Sequence, residues 1–181
     1  AATLVAAVAC HGAAAHPAMD AAHPRMASVC GERIVEMVWE DLKPTAIVTD
    51  RSVRNAIVAL CALGGSTNAV IHLVAIAQRA GLSLELDAFD RTAREVPVLA
   101  NLMPAGNHLM EDLFFAGGVP ALLSRVKDKL DLDCMTVSGK PLGETLEGAR
   151  VIDDDVIRPL DRPVSAEPPL AILRGNLAPN G

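Results

Sequence analysis

The residues Leu63-Gly64-Gly65-Ser66-Thr67-Asn68-Ala69 set two glycines directly before three short polar side chains and an apolar run. Ser, Thr and Asn favour the position just before a helix, so a helix is expected to open here. Its first N–H groups and its dipole would suit a carboxylate or a phosphate. Plain capping, with the glycines present for close packing, accounts for the same residues without a ligand. No Lys follows, so this is not a P-loop, and the spacing is not that of a dinucleotide fingerprint.

Other residues with chemical potential carry less pattern. His11, His16 and His23 lie near Cys10 and Asp20, residue types that bind metals, but their spacing matches no standard ligand set, and a surface loop reads them as well. His72, inside an apolar segment, reads as a satisfied core histidine. Asp153-Asp154-Asp155 lacks the alternate oxygens and glycine of a calcium loop, so a solvated linker is expected there. Lys127, Asp128, Lys129 and Asp131 are expected to face water. The four cysteines, at 10, 30, 61 and 134, form no CxxC pair, which fits free thiols in a reducing compartment and argues against a zinc ribbon or a disulfide scaffold.

The elements that must position these residues are mainly helical. From Met26, apolar residues recur at Cys30, Ile34, Met37 and Val38 in a helical period that ends before Pro44. Thr49 or Asp50 caps a second helix with the stripe Val53, Ala56, Ile57, Leu60 and Cys61, which stops at Gly64-Gly65. The helix opened by Ser66 runs to Ala80 and is apolar almost all round, which predicts the centre of the core. Asp87 is expected to cap a helix over Ala88 to Glu95, followed by an extended Val98 to Met103 and a turn at 104–107. Further helices are expected from His108 to Ala116, from Pro120 to about Leu130, and from Leu142 to Gly148. Cys134 to Val137 and Leu170 to Leu177 read as strands, with a proline-rich connection between domains before the latter.

Composition removes several classes of function. The 181 residues carry 16 Lys plus Arg against 22 Asp plus Glu, a net charge of −6, and only 2% aromatic residues. A basic nucleic-acid binder and a base-stacking RNA reader are therefore not expected. The longest nearly apolar run, Ala69 to Ala80, is too short to cross a bilayer, so neither nucleic acid nor membrane is an expected partner. Residues 1–10 look like a signal-peptide core but lack a basic residue and an initiator Met. The start and the final Asn180-Gly181, half of a hairpin signal, together lead to the expectation of a segment of a longer protein.

Five stretches, in one order from about Gly31 to Gly181, resemble a single family. They are Arg33-Ile34-Val35-Glu36-Met37-Val38-Trp39-Glu40-Asp41-Leu42; Ala62 to Leu73 with its GGSTNA followed by His72-Leu73; His108-Leu109-Met110-Glu111-Asp112-Leu113; Asp155 to Leu160; and Leu173-Arg174-Gly175-Asn176-Leu177-Ala178-Pro179. The resemblance is to the dihydroxy-acid dehydratase and phosphogluconate dehydratase family, with EMVWEDL most similar to its sugar-acid (arabinonate, xylonate) branch.

That resemblance implies an α/β fold, with residues 1–160 the mostly helical later part of an N-terminal α/β domain. Residues 161–181 would be a linker and the first strand of a β-barrel-like C-terminal domain. It implies a hydro-lyase that dehydrates a 2,3-dihydroxy acid to a 2-keto acid, a small-molecule substrate, and a homo-oligomer, dimer or tetramer. It also implies an iron–sulfur cluster as Lewis acid on the departing hydroxyl, Mg2+ on the carboxylate side, and a serine base. The family's cluster cysteines and most of its Mg2+ ligands lie upstream of the matching region, and its serine downstream. No metal ligand and no catalytic residue is therefore carried onto this chain, no cofactor is expected to be bound by this segment alone, and the isolated piece is expected to be inactive. Gly65, Ser66 and Thr67 are the positions expected to approach substrate. A cytoplasmic location follows from the unpaired cysteines and the family's oxygen-sensitive cluster. The alternative is a structural or assembly segment, suggested by the apolar surface of Ala69 to Ala80; a His/Cys metal module in the first 30 residues ranks behind both.

Overall fold

Packing centres on one helix. In the computed structural model, which describes residues 17–179, α3 (Asp50–Ala62) buries ten of its residues and touches helices on three sides. Helix α1 spans Ala22–Trp39 and α2 Pro44–Ile47. After α3 come α4 (Thr67–Arg79), α5 (Leu86–Glu95), α6 (Met110–Phe115), α7 (Gly118–Arg125), a 3-10 turn at Lys127–Lys129, and α8 (Leu142–Thr145).

Helix α3 owes its start to Thr49, whose hydroxyl accepts from the Ser52 N–H at 3.3 Å while the Thr49 N–H donates to the Ser52 hydroxyl at 2.9 Å. This reciprocal cap satisfies two of the backbone donors that a helix start leaves open. At its end Gly64 takes φ +106°, and the Gly65 N–H donates to Leu60 O at 2.9 Å, a left-handed cap in which glycine carries no Cβ penalty. Helix α1 ends similarly with Asp41 at φ 53° and the Leu42 N–H on Met37 O at 2.9 Å.

The prediction that the helix after Ser66 forms the core centre is overturned. Only Ala69, Leu73 and Ala77 of α4 are buried, Ile71 is 67% exposed and His72 lies on the exposed face, not in the core. An all-round apolar helix supplies the material for burial, but α4 buries a single face, Ala69, Leu73 and Ala77, whereas α3 is flanked by α4, α5 and α7. Likewise α1 uses the face of Met26, Cys30, Arg33 and Met37, and leaves Ile34 and Val38 exposed.

Boundaries shift elsewhere. Helix α5 begins at Leu86 with Glu85 in the cap position, ahead of Asp87. The helix expected from His108 begins at Met110, and the one expected to reach Leu130 yields to the 3-10 turn. Among the described residues no strand forms. Val98↔Ser165, Ala100↔Ile157, Leu102↔His108 and Met135↔Pro141 are isolated bridges, so Cys134 to Val137 contributes one pairing, and 170–177 makes no bridge and bends at 175–177. Each segment lacks a neighbour long enough to pair along its length. The helical arrangement is compatible with part of an α/β domain.

The aspartate run is exposed, as expected, but it is tied down by ion pairs. Asp154 pairs with Arg125, Asp155 pairs with His108 and Arg158, and the adjoining Val156 and Ile157 are buried. Lys127, Asp128 and Lys129 do face water, while Asp131 is half-buried and paired with Arg51 at 3.2 Å.

Burial pushes the Cys61 thiol up to about 12, above the ordinary ~8.5 of a free cysteine. A raised thiol stays protonated in the folded chain while the unfolded chain ionises, so stabilisation is complete below ~8.5 and is lost as pH rises towards 12. Urea unfolding at pH 8 and pH 10 is expected to show a larger loss of stability in the native sequence than in Cys61→Ala. Equal losses in the two would contradict this.

Candidate functional site

Ser66 caps α4 by accepting the Ala69 N–H at 3.4 Å, and Ser66, Thr67 and Asn68 are all exposed. The cap side chain thus holds one backbone donor and leaves the first turn of a 13-residue helix facing outward. Such a terminus favours negative charge.

Gly65 has a packing task. A Cβ there would stand 2.9 Å from Pro169 O and 3.0 Å from Leu170 Cγ, and its φ is +79°. The segment 163–174 runs from the Val98–Ser165 bridge across this turn to α5, where Arg174 pairs with Asp87. Arg94 holds the Asp90 carboxyl below its ordinary range, and the Ile172 N–H adds to that effect. Gly65→Ala is therefore expected to lift the segment off the turn and expose the bond after Arg174 to trypsin. Cleavage there should accelerate several-fold over the native chain, as local opening becomes cheaper. An unchanged cleavage rate would show that the segment is not held through Gly65.

Beside the turn lies a cleft of about 270 Å³, whose wall includes Leu63, Gly65, Ser66, Met103, His108 and Met110. Gly65 and Ser66 thus meet at one cleft, while Thr67 sits outside its lining on the exposed first turn. His108 went unnoticed as a site residue in the sequence. Its Nε2 lies 2.8 Å from Asp155 Oδ2, and its Nδ1 is 3.9 Å from Asp112 Oδ2. The His108 ring holds the Asp155 carboxyl below its ordinary range, with Arg158 adding to the effect. No spacing rule links residues 47 apart; only the bridges that lay 153–158 along 98–101 bring them together.

Burial raises the thiols of Cys61 and Cys134. No group of three or more His, Cys, Asp or Glu suited to a metal occurs among the described residues. Cys10, His11 and His16 lie outside the described residues; His23 donates its backbone N–H to Asp20 O at 3.0 Å. No helix among the described residues is long and apolar enough to cross a membrane.

The cleft thus brings a capped helix terminus and a histidine together. The chain belongs to the dihydroxy-acid/6-phosphogluconate dehydratase family, whose N-terminal profile matches residues 2–145. It is 50% identical over 173 residues to a 6-deoxy-6-sulfo-D-gluconate dehydratase of Pseudomonas putida, covering 94% of this chain and 30% of that protein. It is 47% identical over 171 residues to a dihydroxy-acid dehydratase of Methanothermobacter thermautotrophicus, covering 94% of this chain and 31% of that protein. To an L-arabinonate dehydratase of Rhizobium leguminosarum it is 46% identical over 172 residues, again 94% of this chain and 30% of that protein. The chain therefore spans about a third of the length of the curated relatives it matches.

Proposed function

We propose that this chain is a section of a hydro-lyase that removes water from a 2,3-dihydroxy acid, a sugar acid or a shorter relative, to give a 2-keto acid. The observation that carries this reading is the match to the family over residues 2–145, with relatives named for acids of this class. In such a reaction the C2 proton and the C3 hydroxyl leave as water, and the enol so formed tautomerises to the ketone. An acidic substrate is consistent with the outward-facing terminus of α4 at Gly65, Ser66 and Thr67.

The family's resemblance implies an iron–sulfur cluster and Mg2+. Among the described residues no group of three or more His, Cys, Asp or Glu fits either group, and by that resemblance most of their ligands lie upstream of the matching region. The section's role is to shape the substrate side of the site and to hold it against the segment 163–174. Residues 1–160 and 161–181 are taken as parts of an α/β domain and of a following β domain. A cytoplasmic, homo-oligomeric enzyme is part of the same reading.

Alone, the 181-residue chain is expected to release no 2-keto acid from D-gluconate, L-arabinonate or 2,3-dihydroxyisovalerate. Trapping of the ketone with semicarbazide measures this directly, and product formation above a heat-treated control would refute the assignment of the chemistry to residues outside the chain. A second reading, an assembly segment, is favoured by α1, where Val29, Ile34, Val35, Val38 and Trp39 are all more than half exposed. Apolar area of that kind marks contact surfaces. Self-association on dilution, followed by sedimentation, tests it: a Val38→Glu, Trp39→Glu variant should sediment as a smaller species.

A further inference from the structure

Several features of the fold converge on a single side chain. Asn101, 4% exposed, sits inside the loop 101–108 and ties it together: its Oδ1 accepts the Asn107 N–H at 3.1 Å, and its Nδ2 donates to Asp155 O at 3.1 Å. The backbone closes around it, with the His108 N–H on Asn101 O at 3.0 Å and the Met103 N–H on His108 O at 2.8 Å. Gly106 is pressed so closely onto this loop that a Cβ would stand 2.4 Å from the Asn101 carbonyl carbon. The outcome is a fixed backbone at His108, on the wall of the cleft shared with Gly65 and Ser66.

The ring itself is then oriented. Asp155 is an acceptor only, so its bond to Nε2 at 2.8 Å places the ring proton there. Asp155 is steadied in turn by Arg158 at 2.5 Å. In the neutral ring Nδ1 is left as an acceptor, and Asp112 at 3.9 Å is beyond hydrogen-bond distance. A loop that merely needed closing would be served by the Asn101 bonds. A ring locked through one nitrogen, on a cleft wall, is the arrangement by which proteins present a side chain to a ligand.

From this arrangement we infer that His108 contacts the bound acid, with Nδ1 accepting from one of its hydroxyl groups, and that Asp155 is the positioning residue that holds the ring for that contact. The inference rests on the reading of this cleft as a hydroxy-acid site. It assigns a specificity role: acids bearing a hydroxyl within reach of His108 bind, and those lacking it bind less well.

The test uses the full 181-residue chain, labelled with 13C and 15N, titrated with D-gluconate and followed by NMR. The His108 Cε1–Hε1 resonance and the Ser66 backbone amide are expected to move together and saturate at one concentration, while the ring of exposed His72 stays still. His108→Phe is expected to weaken gluconate binding about tenfold, the size of one lost hydrogen bond. Asp155→Asn should weaken it less and change the size of the gluconate-induced movement of the His108 Cε1–Hε1 resonance. A response at Ser66 with none at the His108 ring would overturn the role of His108 and leave the cleft as the acid site. A response at neither would overturn both readings. Because the ring resonance is read in the native chain, the outcome does not depend on the variants folding.

Discussion

Truncation of Leu60 to alanine is expected to lower the stability of the chain by about 2–5 kcal/mol, the range for removing a buried leucine whose surroundings cannot collapse into the space. Leu60 is 2% exposed in the last turn of α3, and it also forms part of the wall of the cleft beside Gly65. The loss therefore has two components, the transfer of the missing methyl and methylene groups and the dispersion contacts that neighbours on α3 and its flanking helices no longer make. A midpoint shift in urea with an unchanged slope would report this as stability and not as a change of state. Leu173→Ala, at a position 82% exposed, is the control and should stay within about 0.5 kcal/mol of the native value. If the two variants matched, α3 would not be the centre of the core.

Replacement of Asn55 by alanine should cost nearly as much, about 2–4 kcal/mol, by a different route. Asn55 is 2% exposed on α3 and bonds both ways to one residue: its Nδ2 donates to Asp131 O at 2.8 Å and its Oδ1 accepts the Asp131 N–H at 2.8 Å. Both ends of the amide are thereby assigned, and the chain after the Lys127–Lys129 turn is fastened to the core helix. Loss of the side chain leaves a donor and an acceptor of the backbone without partners, which is dearer than the loss of a solvated bond. Hydrogen exchange at the Asp131 amide should accelerate in step with the drop in stability. The ion pair between Arg51 and Asp131, at 3.2 Å with the Arg51 side chain 60% exposed, runs alongside and should matter little: Arg51→Ala is expected to change stability by less than about 1 kcal/mol. A large effect from Arg51→Ala with none from Asn55→Ala would reverse this account.

Local chemistry wrote much of the molecule into its sequence. Thr49 with Ser52, and Ser66 with Gly64-Gly65 before it, mark helix ends by hydrogen bonds within a few residues, so α3 and α4 are readable from composition and spacing alone. The apolar stripe of α3 is readable for the same reason, since residues three and four apart share a face whatever surrounds them. The family, too, is legible in continuous motifs such as Gly64-Gly65-Ser66-Thr67-Asn68 and Leu173-Arg174-Gly175-Asn176.

Burial is a property of neighbours, and there the sequence fell short. The apolar residues of α4 and α3 read alike, but α3 is enclosed by α4, α5 and α7 while α4 keeps Ile71 and His72 outside. Gly65 reads either as a glycine for close packing or as one for a ligand to approach, and nothing in the sequence signals that Pro169 and Leu170, a hundred positions on, press against it. The aspartates at 153–155 read as a solvated connection because their counter-ions, Arg125 and His108, lie far away in sequence. The sequence by itself thus determined where helices begin, what face each offers and to which family the chain belongs, because these depend on contacts a few residues apart. Only the tertiary structure decided which helix is the core and that His108 shares a cleft with Ser66, because pairings across 40 to 100 residues follow from how whole elements pack.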